Sequence, residues 1–343
     1  MEVRILTLSA DLQAYDAWVK SHPEGSLWQS LEWKTYQEAL GRDVKIYAAM
    51  EGSGIQASAL VVIDRTSFGL ATWEIPRGPL GRMENGKLRI ENNDFFTRII
   101  ADARKTNCFS LYVSPAHSFS ILNSQFSISG RLVMPEATRI IDLTLNEDDL
   151  LGQMRPKGRY NIHLAEKHGV HVAPSGDVQA FARLAEETAR RDGFRGHSQA
   201  FYERFLNYLP GAFLLLAYPP SEPAVTPSSS LRSSERIEGA GLLGVTWGTT
   251  GLYYYGASSD RHRELMAPYL LQWEAMKVCK ARGCIAYDLF GIAPAGAIDH
   301  PWAGVSAFKA KFGGEVVTYP PEQEIVLRPG MKALLELKRK SLG

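Results

Sequence analysis

Cysteine is scarce here: three in 343 residues, Cys108, Cys279 and Cys284. An odd count without paired spacing excludes a disulfide-framed secreted domain, so the three read as buried thiols of a reducing cytosol. The chain also lacks an excess of either charge. Lys+Arg 38 against Asp+Glu 37 leaves a formal net charge of +1, and any nucleic-acid contact must then come from a local basic patch. No apolar run approaches the roughly 20 residues that span a bilayer, and the N-terminal stretch MEVRILTLSADLQAYDAW has no signal-peptide core. A cytoplasmic protein is expected, with peripheral contact at the inner face of the membrane left open. Gly-x-Ser-x-Gly, His-Glu-x-x-His and Walker-type lysine loops are missing from plausible strand-to-helix junctions, which counts against serine hydrolases, zinc proteases and kinases. The histidines are scattered, so neither a metal nor another cofactor is expected.

What is present is an apolar chain, 45% hydrophobic, long enough for two cores. From residue 11 the periodicity predicts two helices (11–21, 31–41), strands at 44–51, 55–64 and 71–81, a helix (93–107), a strand (108–115) and a closing hairpin (130–144). From residue 177 the same order returns: helices (177–193, 197–209), strands (212–218, 237–247, 252–258), a helix (267–283), a strand (284–292) and a hairpin (313–329). Cys108 and Cys284 open the equivalent strands. This is an α/β (α+β) chain with an internal duplication. Domains are expected at 1–147 and 148–315, with 316–343 packing on the first. Residues 219–238, rich in Pro and Ser, read as a mobile loop without a core of its own.

Two stretches carry chemistry. The first is Tyr287-Asp288-Leu289-Phe290-Gly291-Ile292, followed by a Gly/Ala/Pro-rich loop and Phe308-Lys309-Ala310-Lys311-Phe312-Gly313-Gly314. A strand ending in an acid and a glycine, then a cation between aromatics, delivers polar groups to a cleft. The second is the segment between the halves, where Arg155, Lys157, Arg159, His163 and Lys167 interleave with Tyr160. Pro156 and Gly158 break structure there before a short helix that Gly169 stops. Such a patch suits phosphates, and a solvated linker helix has the same composition.

The order of elements resembles the acetyltransferase-like (GNAT) fold, taken twice with mixed, mainly antiparallel sheets. Together with the C-terminal motif it resembles the FemABX peptidyltransferases, in the compact form without a coiled-coil arm. The resemblance covers nearly the whole chain. It implies transfer of an amino acid from aminoacyl-tRNA to the amine of a peptidoglycan precursor, either lipid II or a UDP-MurNAc-peptide. Lys309, in the Phe308-Lys309 pair, is then the group that contacts the aminoacyl ester or tRNA end and stabilises developing charge. Tyr255 matches a family tyrosine. Gln37 stands where some members have a lysine, with Lys34 one helical turn earlier. His197 replaces a family arginine, with Arg195 close by, and Phe201 occupies a tyrosine position beside Tyr202. Arg77, in an Arg-Gly-Pro motif, either lines the cleft or holds a turn. Arg155, Lys157, Arg159 and Lys167 match a basic entry to the second domain and imply tRNA contact.

The general base stays open. Some relatives have an acid at the end of the first-half strand, where this chain has Ser114; Asp288, at the equivalent point of the second half, is either a base or a structural cap. Most GNAT-like units bind acyl-CoA through a glycine-rich loop at a helix start. The corresponding stretch, Ser258 to Pro268, has no glycine, and Pro268 removes a donor. The alternatives are another amide-forming N-acyltransferase on this fold and a catalytically silent protein that binds a precursor or tRNA.

Overall fold

A computed structural model describes residues 2–66, 69–84, 87–89, 94–118, 126–131, 133–220, 238–297 and 299–342. The chain divides into two compact units, Met1–Glu136 with Thr318–Gly343, and Ala137–Val317. The first unit runs β1 (Glu2–Ile5), α1 (Ser9–Ser21), α2 (Leu31–Ala39), β2 (Asp43–Glu51), β3 (Gly54–Arg65), β4 (Ala71–Pro76), β5 (Leu80–Glu84), β6 (Lys87–Arg89), α3 (Asp94–Lys105), β7 (Cys108–Ser114) and β8 (Ser127–Ile128). The second opens with β9 (Ala137–Asp142), α4 (Glu147–Gln153), α5 (Pro156–Lys167), β10 (His171–Ser175), α6 (Val178–Asp192), α7 (Gln199–Tyr208) and β11 (Ala212–Tyr218). It continues with β12 (Ala240–Trp247), β13 (Thr250–Ser258), α8 (Ala267–Ala281), β14 (Ala286–Asp288), α9 (Ala303–Lys309) and β15 (Glu315–Thr318). The chain returns to the first unit as β16 (Gln323–Val326) and α10 (Pro329–Leu342).

Helix faces follow the apolar spacing. In α3, Phe95, Phe96, Ile99 and Ala103 are buried, and they pack with Trp73, Leu111 and Val113 into the first core. In α6, Phe181, Leu184, Ala185, Thr188 and Ala189 are buried. Asp177 caps that helix by accepting from Ala180 N at 2.8 Å, and Gly193 ends it in the left-handed conformation. Helix α8 is buried along most of its length, and with Phe213, Leu242 and Tyr287 it makes the second core. Each such large side chain contributes on the order of 1.5–3 kcal/mol of burial.

The sheets show the duplication directly. The first runs β1-β2-β3-β4-β7-β16-β8 and the second β10-β11-β12-β13-β14-β9-β15. In each, a parallel pair stands in the same place, β4 with β7 and β13 with β14, and a helix connects the two strands of the pair. The tandem mixed-sheet fold expected from the sequence is the fold observed.

One feature of the sequence reading is corrected. The two closing hairpins are not hairpins. β8 and β9 lie in different sheets, and so do β15 and β16. β9 pairs with β14, while β16 pairs with β7 and β8. The second unit therefore begins at Ala137 and not at 148. An alternating apolar pattern marks a strand and its buried face, but it does not name the partner strand. Of the loop at 219–238, residues 221–237 lie outside the described residues.

Candidate functional site in the second unit

Strands β13 and β14 pair over a short run only: Thr250 with Ala286, Gly251 with Tyr287, Leu252 with Asp288. They then part. β13 continues along β12 to Ser258, while the chain after Asp288 follows β9, with Leu289 N donating to Arg139 O at 2.8 Å and Ile292 N to Ala137 O at 2.9 Å. Two parallel strands that diverge leave a wedge whose walls are main chain and whose lining is set by the next few side chains. A β-bulge sharpens it. Leu243 faces Tyr255 and Gly244 faces Tyr253, so Tyr254 is the extra residue and β13 bends there. Gly256 leaves room on this strand, because a Cβ would collide with the Tyr253 hydroxyl.

Asp288 closes the foot of the wedge. It is buried; its Oδ1 accepts from Phe290 N at 2.7 Å and from Thr138 Oγ1. The turn this makes puts Phe290 in the left-handed region, φ 57°, and directs the Phe290 and Gly291 carbonyls toward Lys309. Lys309 Nζ donates to Phe290 O at 3.1 Å and to Gly291 O at 2.7 Å, and lies 5.4 Å from the centre of the Tyr253 ring. The lysine is only 6% exposed. Burial pushes its ammonium down to about 8, against the opposing pull of Asp288. Burial also holds the Tyr253 hydroxyl up to about 12, with a hydrogen bond to Gln272 acting the other way.

An aromatic wall continues from this point. Tyr254 stacks on Phe290, centroids 5.2 Å apart, and touches Tyr255 at 4.8 Å. Around Tyr255 stand Tyr202 at 5.5 Å, Phe205 at 5.5 Å and His197 at 5.7 Å. His197 lies flat on Phe201 at 3.9 Å. Of the residues singled out by sequence, Lys309, Asp288, Tyr255, Tyr202 and His197 thus belong to one connected arrangement. Arg195 is exposed just before α7. Phe205, Tyr253, Tyr254, Phe290 and Thr138 were not singled out. The tyrosines and Phe290 adjoin quoted motif residues, whereas nothing local marks Thr138, which arrives on β9.

The remaining expected site residues sit in different local settings. Phe308 packs edge-on against Tyr269 and Phe312, so it anchors the end of α9 in the core and positions Lys309. In the first unit, Gln37 is buried and accepts from Arg42 at 2.6 Å. Lys34 pairs with Glu38 at 2.6 Å on α2. Arg77 holds the turn: it is buried, donates to Pro135 O at 2.6 Å and lies 3.4 Å over the Tyr319 ring. Ser114 donates to Glu322, which Arg131 holds at 2.9 Å. Arg155, the N-cap of α5, is exposed, as are Lys157 and Lys167 on the helix, and Tyr160 between them is 63% exposed. Arg159 differs. Its Nη1 donates to Leu151 O, Gly152 O and Met154 O at 3.3, 3.0 and 2.5 Å, closing the end of α4.

The loop before α8 is not an open phosphate cradle. Glu187 Oε1 accepts from Asp260 N at 2.7 Å and from Ser259 Oγ at 2.9 Å, and Arg261 N donates to Ser259 Oγ at 3.1 Å. A fixed carboxylate on these donors opposes a pyrophosphate.

Residues 11–142, 129–222 and 228–337 match the FemAB family. The chain belongs to the FemAB family. A lipid II:glycine glycyltransferase of Staphylococcus aureus (strain COL) is 22% identical over 396 residues, covering 94% of this chain and 93% of its own length. The crystal structure of FemX is similar with a TM-score of 0.74 at 20% identity, over 98% of this chain and 100% of that one. A tandem GNAT protein from the clavulanic acid biosynthesis pathway is similar with a TM-score of 0.56 at 13% identity, over 94% and 98%. This FemAB chain therefore has two tandem GNAT-like domains. Among its described residues no helix is long and apolar enough to cross a membrane, and no three His, Cys, Asp or Glu side chains gather as metal ligands.

Proposed function

We propose that this FemAB-family chain moves an amino acid from aminoacyl-tRNA to the side-chain amine of a lipid-linked peptidoglycan stem peptide. Family membership makes it an amide-forming transferase of peptidoglycan bridge synthesis. The observation that carries the site is Lys309, buried and clamped in the wedge between β13 and the segment after β14. An ester exchanged for an amide is a downhill reaction. It requires an amine held in line with the carbonyl, a sink for that amine's proton and compensation of the oxyanion. The wedge offers a lysine for charge, an aromatic wall for flat groups, and main-chain edges for a peptide.

The donor reading rests on two further observations. The loop before α8, occupied by Glu187, argues against acyl-CoA. The exposed face of α5 presents Arg155, Lys157 and Lys167 around an exposed Tyr160, a combination that suits RNA phosphates and an unstacked base. The lipid-linked acceptor is argued from the glycyltransferase relative, which its name places on lipid II. A protein working on such an acceptor meets the membrane surface.

The test is incubation with charged tRNAs and, separately, lipid-linked and UDP-linked precursors, followed by mass analysis of the acceptor. The expected outcome is a gain of one amino-acid residue on the lipid-linked precursor. Acylation from acyl-CoA in place of tRNA would overturn the reading, and so would precursor binding without product from any charged tRNA.

A further inference from the structure

We propose that β9 is the positioning strand of the transfer site: Thr138 fixes the pair of carbonyls that Lys309 meets, and Arg139 fixes the turn that follows Lys309. This rests on the transferase reading above. Phe290 O and Gly291 O, which hold Lys309 Nζ, come from the segment after β14, while the lysine itself ends α9. Two segments so placed need a third element to set their register. β9 lies between β14 and β15 in the sheet, and it grips the chain on both sides.

Thr138 acts on the carbonyl side. It is buried, and its hydroxyl donates to Asp288 Oδ1, the oxygen that also accepts from Phe290 N at 2.7 Å. A buried carboxylate needs such donors to keep its place. Phe290 is not a glycine, yet its φ is 57°, a conformation that an L-residue holds only against a steric cost. The bond from its N–H to Asp288 offsets that cost. If Asp288 rotates, the torsion is released and both carbonyls turn away from Lys309. The Phe290 ring then also leaves its stack on Tyr254, so one hydroxyl sets the polar and the aromatic side of the wedge together.

Arg139 acts on the lysine side. Its carbonyl accepts from Leu289 N at 2.8 Å, one residue past Asp288, and its Nη1 donates to Gly313 O at 2.9 Å and to Gly314 O at 2.7 Å. Both glycines are left-handed, φ 80° and 74°. A Cβ on Gly314 would run into Ile140 O, so the turn after Lys309 is pressed onto β9. Adjacent residues of one strand thus tie down the donor and the acceptors of one contact, and a displacement of about 1 Å at such a contact costs on the order of 100-fold in rate.

Thr138→Val keeps the shape of the side chain and removes its hydroxyl, whereas Thr138→Ser keeps the hydroxyl. With charged tRNA and the lipid-linked acceptor, Thr138→Val should lower kcat by roughly 10- to 100-fold and leave KM for both substrates within about twofold. Thr138→Ser should recover most of the rate, and Arg139→Met should lose it as Thr138→Val does. In a Lys309→Ala background neither loss should exceed about twofold, because residues that act through one another are not additive. Losses that multiply in full in that background, as a merely structural role gives, would overturn the proposal, and so would a Thr138→Val enzyme with wild-type kcat. Arg139 is half-buried, and Arg139→Met carries the same cycle if Thr138→Val does not fold. Hydrogen exchange of the Phe290 amide, followed by NMR, reads the turn without substrate. It should speed up roughly tenfold in Thr138→Val and stay near the wild-type rate in Thr138→Ser; equal protection in all three proteins sinks the proposal. Exchange that responds as expected in a protein giving no product with any donor would instead refute the transferase reading.

Discussion

Arg159 and Lys157 carry the same charge on the same short helix, and the structure gives them different tasks. Arg159 satisfies carbonyls at the end of α4 that have no helical partner, whereas Lys157, with Arg155 and Lys167, faces solvent. Arg159→Ala should lower stability by about 1–3 kcal/mol, the cost of leaving such acceptors unmet, seen as a lower midpoint in thermal or urea unfolding. Replacing Arg155, Lys157 and Lys167 together by alanine should stay within about 0.5 kcal/mol. The same triple variant should weaken tRNA binding and flatten its salt dependence. A stable Arg159→Ala protein, or a triple variant with unchanged tRNA affinity, would contradict this division. The sequence marks all these residues as basic, but the distinction between a cap and a free cation depends on where the carbonyls of a neighbouring helix end.

Between elements, α5 and the turn after α9 approach closely. Arg155 N donates to Lys311 O at 3.0 Å, and a Cβ on Gly158 would run into that same carbonyl. Gly158→Ala should therefore push α5 off the turn that follows Lys309, at a cost of about 1–3 kcal/mol for overpacking. Gly152→Ala, on α4 with open space around it, should be neutral or slightly stabilising, since alanine is the better helix former. Equal unfolding midpoints for the two variants would refute the close contact. The helices themselves were readable from apolar spacing, as the buried faces of α3 and α6 show. The bulge at Tyr254 and the early parting of β13 from β14 were not. Both are properties of pairing with another strand, and the strand's own residues do not encode them.

Across the whole chain, the second sheet takes β9, its strand beside β14, from before the expected boundary at 148, while the strand beside β7 is β16, from the C-terminal segment expected on the first unit. Residues 137–320 contain every strand of the second sheet in one continuous stretch, and that fragment should unfold cooperatively on its own. Residues 1–136 lack β16, which lies between β7 and β8 and carries the core residue Ile325. Expressed alone, that fragment should aggregate or remain unfolded, because β7 is left with an open edge and the apolar surface that Ile325 covers is exposed. A cooperative transition for 1–136 would count against the assignment of β16. The sequence by itself determined the duplicated order of elements, the helical and strand segments and the family resemblance, since each rests on local spacing or on a contiguous motif. Only the tertiary structure decided the placement of β9 in the second sheet, the contacts of Arg77, Gln37, Phe308 and Arg159, and the two carbonyls that meet Lys309. The physical reason is distance along the chain: Asp288, at the foot of the wedge, is held by Thr138 from 150 residues away, and such a bond exists only once the sheets have formed.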